Sequence, residues 1–164
     1  MIEMLRVDER LIHGQVAVSW TKVLNITHII LINNEVVQNE MQKMTLKMAV
    51  PNNVKFLIKD VPSGINLLND PRTESIRLLV VVSNPSDALE ISKNVKAIKL
   101  VNLGNYGLFP SKDGHPKTEL ATCVKVTEDE FQILKSIDAL GFKIEAQLTP
   151  DANKKNINKI LKGD

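Results

Sequence analysis

Cysteine is nearly absent from this chain: Cys123 stands alone, so no disulfide can form within it, and a reducing compartment is expected. Its apolar and β-branched neighbours point to a buried structural thiol. Aromatics make up 4% of the residues, with one Trp and one Tyr, which leaves no platform for stacking bases. Charge is balanced, with 21 basic and 19 acidic residues. The one basic run (Lys154, Lys155, Lys159, Lys162) reads as the solvated face of a C-terminal helix, and nucleic-acid binding is not expected. No apolar run is long enough to span a bilayer and no leader-like segment opens the chain, so any membrane role is expected to run through a separate partner. Histidines and carboxylates do not cluster at ligand spacing, and no metal is expected. Gly-x-Gly-x-x-Gly is missing after the first strand, as is a receiver's acidic cluster.

What is present is short Val/Ile/Leu runs alternating with longer amphipathic ones over 164 residues, the size of one domain spanning 1–164. Strands are predicted at Ile2–Val7, His28–Asn33, Val54–Ile58, Ile76–Val82 and Ile98–Leu103, with later ones at Thr122–Val126 and Lys143–Gln147. Helices are predicted at Gly14–Leu24, Glu35–Ala49, Val61–Asn69, Pro85–Asn94, Thr127–Leu140 and Asp151–Leu161. Asn84 before Pro85 is an N-cap followed by proline, and Thr127 with Glu130 is a capping box. The expected fold is α/β: a three-layer, open, mostly parallel sheet of about six to seven strands, one late strand a candidate for antiparallel pairing, with helices on both faces. The Gly/Pro-rich stretch Gly104–Leu120 is expected to be an irregular loop.

Ligands of open α/β sheets bind at the carboxyl ends of the strands. The residues there are amides, glycines, arginines and one histidine, a set suited to an anion. Asp8-Glu9-Arg10-Leu11-Ile12-His13-Gly14 follows the first strand. Guanidinium forks from Arg6 and Arg10 match phosphate oxygens. Gly14 opens a helix whose N–H groups would face a phosphate at His13, and a neutral imidazole is a competent nucleophile toward phosphorus. Asp8 could orient the ring or an arginine. The pattern alone also allows a plainer reading, in which His13 is a solvated capping residue, both arginines pair on the surface, Asn84 only caps, and Trp20 is core or subunit interface. Leu11 and Ile12 could be exposed contacts or packing under the loop.

The string Arg6-Val7-Asp8-Glu9-Arg10-Leu11-Ile12-His13-Gly14-Gln15-Val16, followed by Trp20, resembles the signature of enzyme IIB components of the mannose/fructose/sorbose family of the sugar phosphotransferase system. Asn34-Glu35, Ser83-Asn84-Pro85-Ser86-Asp87, Val101-Asn102-Leu103-Gly104 and Val126-Thr127-Glu128 extend the likeness over the whole chain. It implies a phosphotransferase in which His13 takes a phosphoryl group, at Nδ1 in the family, from a phosphorylated IIA component. The group then passes to a sugar entering through the membrane components IIC and IID. Arg10 would stabilise the phosphate and Asp8 support the loop. Arg6, Gly14, Gln15, Asn34, Asn84, Asn102 and Gly104 would bind or support it. No cofactor is implied beyond the covalent phosphohistidine. The chain would be cytoplasmic, held at the membrane through IIC and IID. The alternative is a non-catalytic regulatory or interaction module on the same fold. Asn105 stands where members often carry a second glycine, Asn34 where some carry aspartate, and the Asp113-Gly114-His115-Pro116 loop is unusual. Sugar choice is expected to rest with the membrane partners, so mannose, fructose, sorbose and amino sugars all stay open, as does a homodimer.

Overall fold

The computed structural model describes residues 1–163. The main sheet has seven strands in the order β3-β2-β4-β1-β5-β8-β9. These are β1 (Ile2–Asp8), β2 (His28–Ile32), β3 (Lys55–Lys59), β4 (Leu78–Val82), β5 (Val101–Asn105), β8 (Ile144–Ala146) and β9 (Lys155–Asn156). All neighbours run parallel except β9, which pairs antiparallel with β8. A separate antiparallel hairpin holds β6 (Thr118–Ala121) and β7 (Val124–Val126).

Strand alternation divides the core into two layers. Met4, Ile29, Leu31, Leu79 and Val81 face α1 (Gly14–Val23) and α2 (Glu40–Met48). Leu5, Val7, Leu78, Val80, Val82, Val101 and Leu103 face the opposite layer. That layer holds α3 (Val61–Leu68), α4 (Pro85–Asn94), α5 (Glu128–Ala139) and α6 (Ile157–Leu161). Helices α4 and α5 begin where capping chemistry says they should: Asn84 accepts from Asp87 N–H, and Thr127 and Glu130 close a reciprocal capping box.

Several expectations are corrected. The predicted strand Thr122–Val126 lies in the hairpin, outside the main sheet. The predicted helix Asp151–Leu161 begins only at Ile157, because Lys155–Asn156 pairs with β8 and Asn156 becomes the N-cap. Glu35–Ala49 is two pieces, a 3-10 turn at Val36–Gln38 and then α2, since Asn39 caps the second by accepting from Gln42 N–H. Gly104 and Asn105 are buried strand residues and not loop. Within the predicted helix Gly14–Leu24 the apolar Val23 is 60% exposed, and Ala17, Trp20 and Thr21 are the buried residues of α1.

Because β1 lies between β4 and β5, its carboxyl end is where the chain's crossovers diverge. An open α/β sheet forms its crevice at such a point. Among the described residues, no helix is long and apolar enough to cross a membrane.

Candidate functional site

The end of β1 turns sharply into α1. Leu11 N–H bonds the Asp8 carbonyl at 2.9 Å, and Leu11 itself takes a φ of 64°, a left-handed conformation that a leucine rarely adopts. Leu11 and Ile12 are buried, so they pack beneath the loop and are not exposed contacts. The turn delivers His13 to the N-cap position of α1, with extended backbone and no side-chain cap bond. His13, Gly14 and Gln15 are exposed. The His13 carbonyl accepts from Val16 and Ala17, while the N–H groups of Gly14 and Gln15 have no protein acceptor among the described residues. No Cβ contact would restrict position 14 within 4 Å, so the backbone there is open to a ligand.

Asp8 is the hub of the site. Only 1% exposed, it receives Arg10 N–H at 2.9 Å and Arg10 Nε at 3.3 Å on Oδ1, and Arg6 Nη2 at 3.1 Å and Arg10 Nη2 at 3.3 Å on Oδ2. The Arg10 side chain is 27% exposed. It is therefore clamped through Nε and Nη2 by Asp8 while remaining partly open to solvent.

Arg6 differs from the sequence expectation. It is 3% exposed, so it cannot extend a fork to a phosphate at the surface. Its Nη1 donates to Asn102 Oδ1 at 2.7 Å and to the Gln147 carbonyl at 3.3 Å, and its Nη2 also donates to the Leu148 carbonyl at 3.0 Å. Burial pulls its pKa down, and Asp8 opposes that shift. Trp20 lies against it, with the guanidinium 5.7 Å from the ring centroid, and donates its Nε1–H to Leu148 O at 3.2 Å. Trp20 is core, and a subunit-interface role is not needed to explain it.

Asn102 pairs in register with Arg6 across the β1–β5 ladder, which places the two side chains on one face. Gly104 lies where that ladder shifts register, and a Cβ there would fall 2.1 Å from Arg6 Cζ. Glycine is required there because the Arg6 guanidinium fills the space a side chain would take. Asn34 and Asn84 follow β2 and β4 at the same carboxyl edge of the sheet and are engaged locally: Asn34 Oδ1 holds Val61 N–H at 2.8 Å, and Asn84 caps α4 and donates to Ser83 Oγ at 3.0 Å. Gln147 and Leu148, after β8, were not found from sequence, because they contribute through main-chain carbonyls that carry no residue signature. Glu9 ties the site to the long loop by accepting from Leu108 N–H at 3.2 Å. Cys123 is buried, and burial raises its thiol pKa. Among the described residues no group of three or more His, Cys, Asp or Glu could hold a metal.

Fold and site together define an open α/β domain with an exposed histidine at a helix start, a partly exposed arginine in the same loop and a buried ionic brace at the end of β1. The family model for the sorbose subfamily IIB component of the phosphotransferase system matches residues 2–164, and the chain belongs to that family. A "probable phosphotransferase enzyme IIB component" of Streptococcus pyogenes is 38% identical over 98% of this chain and 99% of its own length. The mannose-specific EIIAB component of Escherichia coli is 31% identical over 100% of this chain, which spans 50% of that protein. The IIBSor domain of the sorbose permease of Klebsiella pneumoniae superposes with a TM-score of 0.87 at 26% identity, covering 99% of this chain and 97% of that one. Membership makes the chain a phosphotransferase of the mannose/fructose/sorbose class and a phosphoryl relay of a sugar phosphotransferase system. The non-catalytic alternative is not favoured.

Proposed function

We propose that His13 is the residue that carries the phosphoryl group, with residues 1–164 acting as one IIB domain. One observation supports this most: His13 is exposed at the head of α1, beside two unpartnered N–H groups and in the same loop as an arginine clamped by a buried aspartate. A neutral ring nitrogen attacks phosphorus on a phosphohistidine of IIA, forming an N–P bond as the donor's N–P bond breaks. A sugar hydroxyl then attacks the phosphorus of His13. The new O–P bond replaces the N–P bond, and the hydroxyl proton goes to the departing His13 ring, which is released as neutral imidazole, just as the remaining N–H proton of His13 passes to the released donor ring in the first step. Arg10 and the N–H groups of Gly14 and Gln15 offset charge on the equatorial oxygens. Asp8 holds Arg10, and Arg6 with Asn102 and Gly104 holds Asp8.

The phosphohistidine is covalent, and no separate cofactor enters this mechanism. The sugar reaches the site through membrane components IIC and IID, and docking to them places the domain at the cytoplasmic membrane face. Incubation with phosphoenolpyruvate, the general phosphocarriers and IIA should give one acid-labile, alkali-stable phosphate. The label should vanish in His13→Ala; a label that persists there refutes the assignment.

A further inference from the structure

The site has two halves on different elements. Arg10 comes with the loop after β1, through Asp8 and Arg6. His13 comes with α1, which carries Trp20. The halves meet on the Leu148 carbonyl, which accepts Arg6 Nη2 at 3.0 Å and Trp20 Nε1 at 3.2 Å. That carbonyl sits in a turn closed by Ala152 N–H on Thr149 O at 3.0 Å and by Thr149 Oγ1 on Asp151 Oδ1 at 2.6 Å, and bridged from outside by the Gln147 side chain. Gln147, 8% exposed, donates from Nε2 to Pro150 O at 3.1 Å and Ala152 O at 2.9 Å. Its own main chain is fixed at both ends: its N–H bonds Leu103 O at 3.1 Å, and its carbonyl receives Arg6 Nη1 at 3.3 Å and Asn102 Nδ2 at 3.2 Å.

A buried guanidinium has to be met by fixed acceptors, or it moves to find others. Here two of the acceptors of Arg6 are main-chain oxygens whose direction depends on how Gln147 folds the turn. We propose that Gln147 is a positioning residue for phosphoryl transfer, acting through Arg6 and Asp8 on Arg10. The Trp20 indole N–H locks the same turn to the helix that carries His13. This rests on the assignment of His13 and Arg10 above.

The test is a double-mutant cycle on transfer from phosphorylated IIA to the full chain. Gln147→Leu keeps volume and removes both side-chain bonds. It should lower the transfer rate constant roughly tenfold with little change in KM for phospho-IIA. In an Arg10→Ala background the same substitution should change the rate less than about twofold, since the group it acts through is gone. Equal losses in both backgrounds, or no loss in either, overturn the proposal. If Gln147→Leu does not fold, Gln147→Met carries the same cycle: it keeps an unbranched side chain of similar length and drops both Nε2 bonds. A wild-type chain that takes no label on His13 refutes the functional assignment and this inference with it. A labelled wild type with additive losses refutes this inference alone.

Discussion

At Asp8 two carboxylate oxygens receive a main-chain N–H and two guanidinium groups inside the protein. A charge so placed costs several kcal/mol to desolvate and is kept by its partners. Its value lies in geometry, since it turns Arg10 into a fixed donor rather than a mobile side chain. Removing that donor should therefore act on rate more than on fold: Arg10→Ala is expected to slow transfer by about 100-fold while far-ultraviolet circular dichroism stays unchanged. His13→Ala, exposed and bonded through its main chain, should abolish transfer with an unchanged unfolding midpoint. Gly104→Ala is the opposite case. Its Cβ would lie 2.1 Å from Arg6 Cζ, so the guanidinium must shift. A loss of about 1–3 kcal/mol in urea unfolding is expected, together with slower transfer. Leu11 adds a local cost of about 1 kcal/mol by its positive φ. The burial of its side chain holds it there.

The elements that were legible in sequence are those whose ends carry capping chemistry. Pro85–Asn94 is found with both boundaries, because Asn84 and Pro85 state its start. The Thr127–Glu130 box fixes α5 likewise. Thr127→Ala should cost about 1 kcal/mol and lower the thermal midpoint by roughly 2–4 °C. Asp70 does similar work at the 3-10 turn Pro71–Ser75, accepting from Arg72 N–H, and its bonds to Arg72 hold its pKa at about 2 against 3.8. A depressed carboxylate pKa contributes stability above the unfolded value and loses it as pH falls toward the folded one. The Asp70 carboxyl signal should thus titrate near 2 by nuclear magnetic resonance, and an Asp70→Asn chain should lack the part of the acid-induced loss that falls between 3.8 and about 2. What sequence hid were the elements set by distant partners. Lys155–Asn156 has no strand pattern and pairs only because β8 presents an open edge. The role of Arg6 depends on carbonyls 141 and 142 residues away. The position of His13 before a helix was legible. Asp8 as a partner for an arginine was legible too, whereas the burial of Arg6 on the Gln147 and Leu148 carbonyls was not.

Across the whole molecule the site is mounted on a central strand of the sheet. β1 is paired on both sides and buried at every residue. α2 is the contrasting case on the same layer: Leu46 is its only buried residue, and Met41, Met44 and Met48 are 80%, 68% and 86% exposed. Local opening follows buried apolar contact, so these parts should separate in native-state hydrogen exchange. The amides of Leu5, Val7, Leu79 and Val81 should exchange only through global unfolding. Those of α2 and of the loop between β5 and β6 should exchange by local opening, with free energies far below the global value. The arrangement suits the proposed relay: partners docking in turn on the thinly packed rim would leave the Arg6–Asp8–Arg10 brace its distances. Amides of Arg6, Asp8 and Asn102 should accordingly keep their protection when IIA binds. A loss of protection at those three on docking would mean that the brace is remade by the partner rather than built into the fold.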